Sequence, residues 1–210
     1  MRNRRGAWLP DNETDAALIE GGFSYQNHKF MEALRYVQPG RTRRAVDVGA
    51  HCGLWTIQMG RFFDEVECFE PLGEHVECWE KNCERKLSLH LHQCALSDHI
   101  GWSGITVVPG FSGRSYLHGD GAVLLRTLDS YDFDNVDFLK VDVEGHEYFV
   151  LKGAEKTLLR CKPVMVVEQK PGHAARFGLG DTYAVDYLEK LGATRKAEIA
   201  GDYIFSWDNA

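Results

Sequence analysis

Short apolar runs alternate with longer segments whose apolar residues recur at helical spacing, and this alternation covers most of the chain. The pattern predicts strands joined by helices, and therefore an α/β fold with a largely parallel sheet. Strands with their exit loops are predicted at 44–53, 66–71, 89–98, 136–145 and 163–168. Helices are predicted at 15–37 (interrupted at 21–22), 54–63, 74–86, 147–160 and 181–191.

The end of the chain follows a different pattern. Two short runs at 193–199 and 203–207 are split by a turn-forming tripeptide, which predicts a hairpin. We therefore expect a doubly wound, mostly parallel seven-stranded sheet with a C-terminal antiparallel hairpin. Residues 1–43 are expected to form an N-terminal helical segment ahead of the single domain at 44–210.

One segment breaks the regular alternation. Residues 101–125 are rich in glycine and contain only short β-like runs. This composition predicts an inserted hairpin or long loop on the substrate side, because long ordered loops often carry binding residues. Arg114 and Ser115 are the expected substrate contacts within it.

Composition narrows the partners. A chain of 210 residues with 44% hydrophobic and 26% charged residues is typical of a globular domain with one sizeable core. The net charge of -7 disfavours a nucleic-acid partner, and no apolar run suits a membrane partner. We expect a small-molecule or glycan partner, and the oligomeric state stays open.

Cysteine and histidine usage points to no metal or disulfide framework. The six cysteines include no C-x-x-C pair, and no secretory segment opens the chain, so a reducing, cytoplasmic location is expected. His90 and His92 alternate with leucines on a predicted strand and are interpreted as surface positions.

The first predicted strand runs into a loop with the pattern Asp47-x-Gly49-x-x-x-Gly53. A dinucleotide site would carry glycine where Asp47 stands, and a carboxylate there would repel a pyrophosphate. The acid suits a ligand with a positive end, such as the ammonium group of S-adenosylmethionine. The loop is also expected to offer unpaired N–H groups at a helix start.

Two later strands also carry charged residues at or near their carboxyl ends. Glu70 ends the second strand, where nucleotide-binding α/β proteins place an acid that accepts hydrogen bonds from two ribose hydroxyls. Lys140 and Asp142 interrupt a fourth strand that should be apolar, and burying charges costs several kcal/mol unless they are paired or in use. Either a self-satisfied ion pair or a ligand site explains them.

Several ordered motifs together resemble the FkbM-type methyltransferases. They are Val46-Asp47-Val48-Gly49-Ala50-His51-Cys52-Gly53, Phe69-Glu70-Pro71, Ala95-Leu96-Ser97-Asp98, Thr127-Leu128-Asp129, Phe138-Leu139-Lys140-Val141-Asp142-Val143-Glu144-Gly145-His146-Glu147, Val150-Leu151-Lys152-Gly153-Ala154 and Lys162-Pro163. The resemblance runs from about residue 44 to 170. It implies a class I S-adenosylmethionine-dependent fold of strand order 3-2-1-4-5-7-6, and O-methylation of sugar or natural-product hydroxyls.

The resemblance also implies cofactor contacts. Residues of the glycine loop would hold the methionine part of the donor, Glu70 would bind the ribose, and Ala95 with Leu96 would flank the adenine. The loop residues concerned are Asp47, Gly49, Ala50 and Gly53. His51 departs from the family pattern, which commonly has asparagine in this place beside the donor.

Methyl transfer to a hydroxyl needs a base within hydrogen-bond reach. Asp142 is the expected base, Glu144 and His146 are neighbours that could share the role, and Lys140 would orient Asp142. No metal is predicted. A variant mechanism has a divalent ion gathered by four side chains. They are Asp142, Glu144, His146 and Glu168.

Two other classes of function stay open. A nucleotide-sugar or NAD-dependent oxidoreductase could use a similar sheet, although Asp47 and the expected lack of a Tyr-x-x-x-Lys pair at the site disfavour it. A non-catalytic S-adenosylmethionine or nucleoside binding module would keep Asp47 and Glu70. Such a module would have no use for the charged group at 140–144.

Overall fold

The computed structural model describes residues 1–84 and 87–208. The strands of this part of the chain are β1 Arg2–Arg4, β2 Ala7–Leu9, β3 Arg44–Val48, β4 Glu65–Phe69, β5 Leu89–His92, β6 Ala95–Leu96, β7 Gly101–Ser103, β8 Ile105–Thr106, β9 Tyr116–Leu117, β10 Val123–Arg126, β11 Val136–Val141, β12 Val164–Glu168, β13 Thr194–Ile199 and β14 Asp202–Ser206. The α-helices are α1 Ala16–Gly21, α2 Asn27–Leu34, α3 Leu54–Met59, α4 Gly73–Asn82, α5 Glu147–Lys152, α6 Glu155–Cys161 and α7 Tyr183–Lys190.

Seven strands form the main sheet, in the order β13-β14-β12-β11-β3-β4-β5. Neighbours from β5 to β12 pair in parallel, whereas β14 runs antiparallel to both β12 and β13. The predicted α/β class with a large, mostly parallel sheet is confirmed, and the sheet is mixed because of β14. Numbered along the chain, its strands lie in the order 3-2-1-4-5-7-6.

Helices cover both faces of the sheet because alternate side chains of each central strand enter two different cores. On β11, Leu139 and Val141 pack with α5, α6 and α7, whereas Phe138 packs with α2 and α3 on the opposite face. The Phe138 ring lies edge-on to Phe30 of α2, with ring centroids 5.6 Å apart. Strand β11 therefore contributes side chains to both cores.

The predicted helix at 147–160 is two helices, α5 and α6, separated by Gly153 and Ala154. A Cβ on Gly153 would lie 2.0 Å from the carbonyl oxygen of Ser97, so only glycine fits at this position without a shift of the backbone. The close approach of a distant loop therefore requires glycine at the end of α5, and helical periodicity alone could not reveal this contact.

Other helices are also shorter than predicted. The helices predicted at 54–63 and 181–191 end earlier, as α3 and α7, and the predicted end of the 74–86 helix lies outside the described residues. The hairpin of β1 and β2 was not predicted. It turns at Arg5 and Gly6, which both have positive φ, but its residues show no alternation of polar and apolar positions.

The inserted segment builds two small sheets outside the main one. Strand β10 joins β6 in parallel and β7 in antiparallel orientation, and β8 pairs with β9. Its role as a substrate-side element stays a prediction, as does the domain division at residue 44. Within the described ranges, no helix is long and apolar enough to cross a membrane.

We predict that Gly153→Ala lowers the free energy of unfolding by about 1–3 kcal/mol or more, because the new methyl group must displace the Ser97 carbonyl. Gly153 has φ -76°, so backbone strain does not contribute. Gly180→Ala is the matched control: its Cβ would lie 3.5 Å from the Tyr183 ring, an ordinary contact. Urea unfolding measures both variants, and equal effects would contradict the steric explanation.

Candidate functional site

A cavity of about 200 Å³ opens at the carboxyl ends of β3, β4, β11 and β12. This is the edge where open α/β sheets bind ligands. Most of the residues predicted for the site line it: Gly49, Ala50, His51, Glu70, Ala95, Leu96, Arg114, Ser115, Lys140, Asp142, Glu144 and His146. Asp47 and Gly53 do not.

The two glycines of the loop serve packing. Gly49 has φ +77°, and a Cβ there would lie 1.9 Å from the carbonyl oxygen of Asp142. Gly53 has φ +83°, and its Cβ would lie 2.8 Å from the Trp79 ring. Glycine is therefore required so that the loop can contact both the exit of β11 and helix α4.

The amides of this loop are already hydrogen-bonded. Gly49 and Ala50 donate to the carbonyl of Phe69, at 3.0 and 3.1 Å. The amide of His51 donates to Glu70 Oε2 at 3.0 Å, and that of Gly53 donates to the carbonyl of Ala50. The prediction of unpaired N–H groups is wrong at these four positions.

Asp47 lies behind the cavity wall and is fully buried. Its Oδ2 accepts a hydrogen bond from Thr56 at 2.7 Å, and its Oδ1 lies 3.8 Å from Lys140 Nζ. Burial raises the pKa of Asp47, against the effect of Lys140. This placement does not support the expected direct contact with an ammonium group.

Glu70 is buried at the end of β4 and holds the surrounding loops. Its Oε1 accepts from the amide of Leu72 at 3.0 Å and lies 3.1 Å from His75 Nδ1, while Oε2 accepts from His51. A carboxylate has about four acceptor sites. One acceptor site, on Oε2, therefore stays unused, whereas the prediction of two bonds to a ribose needs two.

Sequence reasoning missed a chain of polar contacts above the loop. His51 Nε2 lies 2.6 Å from Ser112 Oγ, and both the hydroxyl and the amide of Ser112 donate to the buried Glu13. Burial holds the pKa of His51 well below its usual range, so the ring is neutral and donates from Nε2 to Ser112. These contacts connect the N-terminal and inserted segments to the glycine loop.

Lys140 and Asp142 form the ion pair that the sequence left open, with Nζ and Oδ2 3.3 Å apart. Burial works against the charge of Lys140, but Asp142 and Asp47 raise the pKa of Lys140 above its ordinary value. Burial likewise opposes ionisation of Asp142, and Lys140 nevertheless holds the pKa of Asp142 below its ordinary value. Both groups are therefore charged at neutral pH.

Two further acids lie close to this pair. Burial and the charge of Asp142 raise the pKa of Glu168, at the end of β12, to about 9. The same two causes raise the pKa of Glu144 to about 7. At neutral pH Asp142 thus carries the fixed negative charge, Glu168 is mostly protonated and Glu144 is partly so.

His146 occupies the position before helix α5, but its side chain makes no capping hydrogen bond. Nε2 lies 3.0 Å from Ser97 Oγ, and the ring stacks on Phe149 with centroids 4.7 Å apart. Burial lowers the pKa of His146 to about 4, so the ring is neutral. Its Nδ1 has no hydrogen-bond partner in the described part of the chain.

The predicted substrate contacts lie beside the cavity. Arg114 is exposed and its guanidinium lies 4.2 Å from the centre of the Phe111 ring, while Ser115 donates to the carbonyl of Ser112 at 3.1 Å. On the far strand β5, His90 is exposed as expected. His92 is half-buried rather than fully exposed, because it stacks on Phe69 and contacts Glu67 at 2.7 Å.

The chain does contain two Tyr-x-x-x-Lys spacings, Tyr25 with Lys29 and Tyr148 with Lys152. Tyr25 lines the cavity, but Lys29 pairs with Asp202 at 2.8 Å and does not. Neither residue of the second pair lines it. The sequence therefore contains the spacing twice, but neither complete pair lines the cavity.

We predict that Ser112→Ala lowers the free energy of unfolding by about 1–3 kcal/mol, because it leaves the buried Glu13 and His51 each short of a partner. Ser130→Ala is the control, since Ser130 is exposed and should change the stability by less than about 0.5 kcal/mol. Urea unfolding of the two variants measures the difference. A Ser112 variant as stable as the control would show that the chain of contacts contributes nothing.

Solved structures of similar fold include methyltransferases. The methyltransferase FkbM from Methylobacillus flagellatus KT has a TM-score of 0.50 at 16% identity, over 94% of this chain and 56% of its own. Precorrin-6y C5,15-methyltransferase from Geobacter metallireducens GS-15 has 0.55 at 11%, over 96% and 98%. Aeropyrum pernix fibrillarin, solved with natively bound S-adenosyl-L-methionine, has 0.51 at 13%, over 85% and 73%. These identities show the fold alone.

The sequence itself assigns the family. No curated protein matches the chain, and it spans little more than half of the Methylobacillus protein. The sequence profile of the methyltransferase FkbM domain, however, matches residues 47–195, well over half of the chain. The resemblance seen in the motifs is confirmed, and the chain belongs to the FkbM methyltransferase family.

Proposed function

We propose that the protein is an S-adenosylmethionine-dependent methyltransferase that methylates a hydroxyl group of a sugar, glycan or natural product. The observation that carries the proposal is the Lys140–Asp142 pair, which presents an ionised carboxylate in the cavity beside the glycine loop. Family membership supports the reaction class, and the fibrillarin with bound donor supports the choice of donor.

The cavity suits this donor in three respects. Glu70 keeps one acceptor site for a ribose hydroxyl, and Ala95 with Leu96 offers an apolar surface to the adenine. Its lining contains five acids against three Lys or Arg residues, and even with Glu168 mostly protonated and Glu144 partly protonated it carries no excess of positive charge that would hold a pyrophosphate. The acids are Asp15, Glu70, Asp142, Glu144 and Glu168.

The chemical step is an in-line displacement. The acceptor oxygen attacks the methyl carbon of the donor, the carbon–sulfur bond breaks, and its electron pair neutralises the sulfonium. The hydroxyl proton passes to Asp142. Holding both reactants in a site that excludes water supplies much of the rate, because the step needs orientation more than covalent assistance.

Asp142 is available as the base because Lys140 keeps it ionised. The same pairing makes it a weak base, since a carboxylate with a lowered pKa binds protons poorly. The proton therefore transfers late, as the oxygen–carbon bond forms and the hydroxyl becomes strongly acidic. Glu144 and His146 line the same wall and could receive the proton afterwards.

The acceptor is proposed to be a small molecule or glycan that binds beside Arg114 and Ser115. Both residues line the cavity on the inserted segment, and Arg114 offers exposed N–H donors for hydroxyl or anionic groups. The net charge of -7 argues against RNA or DNA in this place.

The donor assignment predicts that S-adenosylmethionine or S-adenosylhomocysteine binds in calorimetry and that NAD does not. Glu70→Gln should weaken donor binding by about 1.5–3 kcal/mol, because it removes a charged acceptor and disturbs the His51 amide. Glu67→Gln, on the strand that leads to Glu70 but outside the cavity, controls for general effects. Labelled methyl transfer to hydroxyl compounds tests the reaction. Tight NAD binding without any response to the methyl donor would overturn the assignment.

The base assignment predicts that Asp142→Asn lowers turnover by about 10²–10⁴-fold with donor binding nearly intact, since asparagine keeps the size but cannot take the proton. Asp137→Asn is the control. Asp137 is a buried, arginine-paired acid at the other end of β11 and lies outside this cavity. Its loss should reduce stability and leave turnover per folded molecule unchanged. Wild-type turnover in Asp142→Asn would refute the role of Asp142.

A further inference from the structure

Three side chains with metal-binding atoms converge on one side of the cavity. Glu144 follows β11, Glu168 ends β12, and His173 lies in the next loop. One ligand atom from each lies within 4.8 Å of the others. The closest pair is His173 Nδ1 and Glu144 Oε2, at 2.9 Å.

Beyond contacts with one another and with Asp142, the facing atoms of these residues have no hydrogen-bond partner in the described ranges. Glu144 and Glu168 are only 4% and 3% exposed, yet the Oε2 atom of each is unsatisfied, as is Nδ1 of His173. Lys170 pairs with the other oxygen of Glu168 at 2.5 Å, and the Glu168 carboxyl group also hydrogen-bonds to Asp142. Buried carboxylate oxygens without a donor are costly, and a cation shared among them would satisfy all three residues.

The backbone holds the group together. Gly145 has φ +108°, and a Cβ there would lie 2.4 Å from the carbonyl oxygen of His173, so the two loops touch directly. Arg176 donates to the carbonyl of Glu144 at 2.9 Å and stacks on Tyr116. Its guanidinium lies 3.9 Å from Glu144 Oε2, beyond hydrogen-bond distance. The carboxylate oxygen is therefore not committed to Arg176.

The spacing fits a metal centre. Bonds of about 2.0–2.2 Å to nitrogen and oxygen place neighbouring ligand atoms about 3–3.5 Å apart. The 2.9 Å pair already has this separation, and the Glu168 ligand atom lies within 4.8 Å of both partners. One imidazole with two carboxylates is a mixed donor set that suits Mn²⁺ and its first-row neighbours better than Mg²⁺, which prefers oxygen ligands.

We propose that Glu144, Glu168 and His173 form a binding site for a divalent first-row transition ion, with Mn²⁺ as the best-matched member. This differs from the variant considered from the sequence, because His146 contacts Ser97 and His173 takes its place. Resting on the proposed function, the ion would bind the acceptor hydroxyl beside Asp142 and increase the acidity of its proton. The weak base would then suffice.

A second group of similar composition provides a control. Glu65, Glu67 and His90 also have ligand atoms within 4.8 Å of one another. Their carboxylates are already paired, since Arg44 contacts both acids and His92 contacts Glu67. This group therefore does not share the unsatisfied oxygens of the proposed site.

The test titrates Mn²⁺ alone into the full chain, without donor or acceptor, by calorimetry and electron paramagnetic resonance. One ion should bind per chain, with a pulsed-resonance signal from a bound imidazole nitrogen. Glu144→Gln and His173→Ala should each weaken binding at least tenfold, and His173→Ala should abolish the nitrogen signal. His90→Ala should change neither. His173 is partly exposed, so its variant should fold even where a Glu144 variant does not.

The proposal is overturned if no Mn²⁺ binds, if His173→Ala binds it as tightly as wild type, or if His90→Ala removes the signal. Failure of the site and failure of the proposed function are distinguishable. Methyl transfer by protein freed of metal with a chelator would keep the function and reject a role of the ion in it. Mn²⁺ binding in a protein without methyl transfer would keep the site and reject the function.

Discussion

Lys140 lies in the middle of the main sheet, whose other side chains are mostly apolar, and its ammonium is 3.3 Å from Asp142 and 3.8 Å from Asp47. A charge buried this deeply costs several kcal/mol unless it is paired. Lys140 and Asp47 are register partners on β11 and β3, so the sheet itself places the first acid beside it. The backbone that leaves β11 places the second acid, Asp142, beside it. The electrostatics of the cavity are therefore determined by the pairing that builds the sheet centre.

The glycine loop depends on the same sheet edge. Its amides bond to the carbonyl of Phe69 and to Glu70, both at the end of β4, so β4 fixes the loop shape without a ligand. A loop fixed in advance loses little conformational entropy when a ligand binds. The cost is that Glu70 keeps only one acceptor site for that ligand. Shape and side-chain contacts, more than loop amides, must then supply donor recognition.

The sequence was informative where a residue violates a local pattern. Lys140 and Asp142 stand out in an apolar strand, and both lie at the cavity wall. Asp47 was identified as an acid at a strand end, but only the packing of Thr56 against it shows that it is covered. Glu13 and Ser112 are hydrogen-bonded across 99 positions of the chain, and neither lies in a periodic segment. Contacts of that kind are decided by tertiary packing, and one sequence carries no signal for them.

The distribution of charge limits which part of the reaction the acids can assist. On the proposed function, the positive charge of the sulfonium disappears as the methyl group moves, so an unpaired carboxylate beside sulfur would stabilise the donor more than the transition state and slow the step. Lys140 offsets the charge of Asp142, and the raised pKa values of Glu144 and Glu168 keep these acids largely or partly protonated. The acids can therefore accept the proton of the acceptor hydroxyl without stabilising the ground state of the donor. The buried lysine thus makes an acid-rich cavity compatible with transfer from a cationic donor.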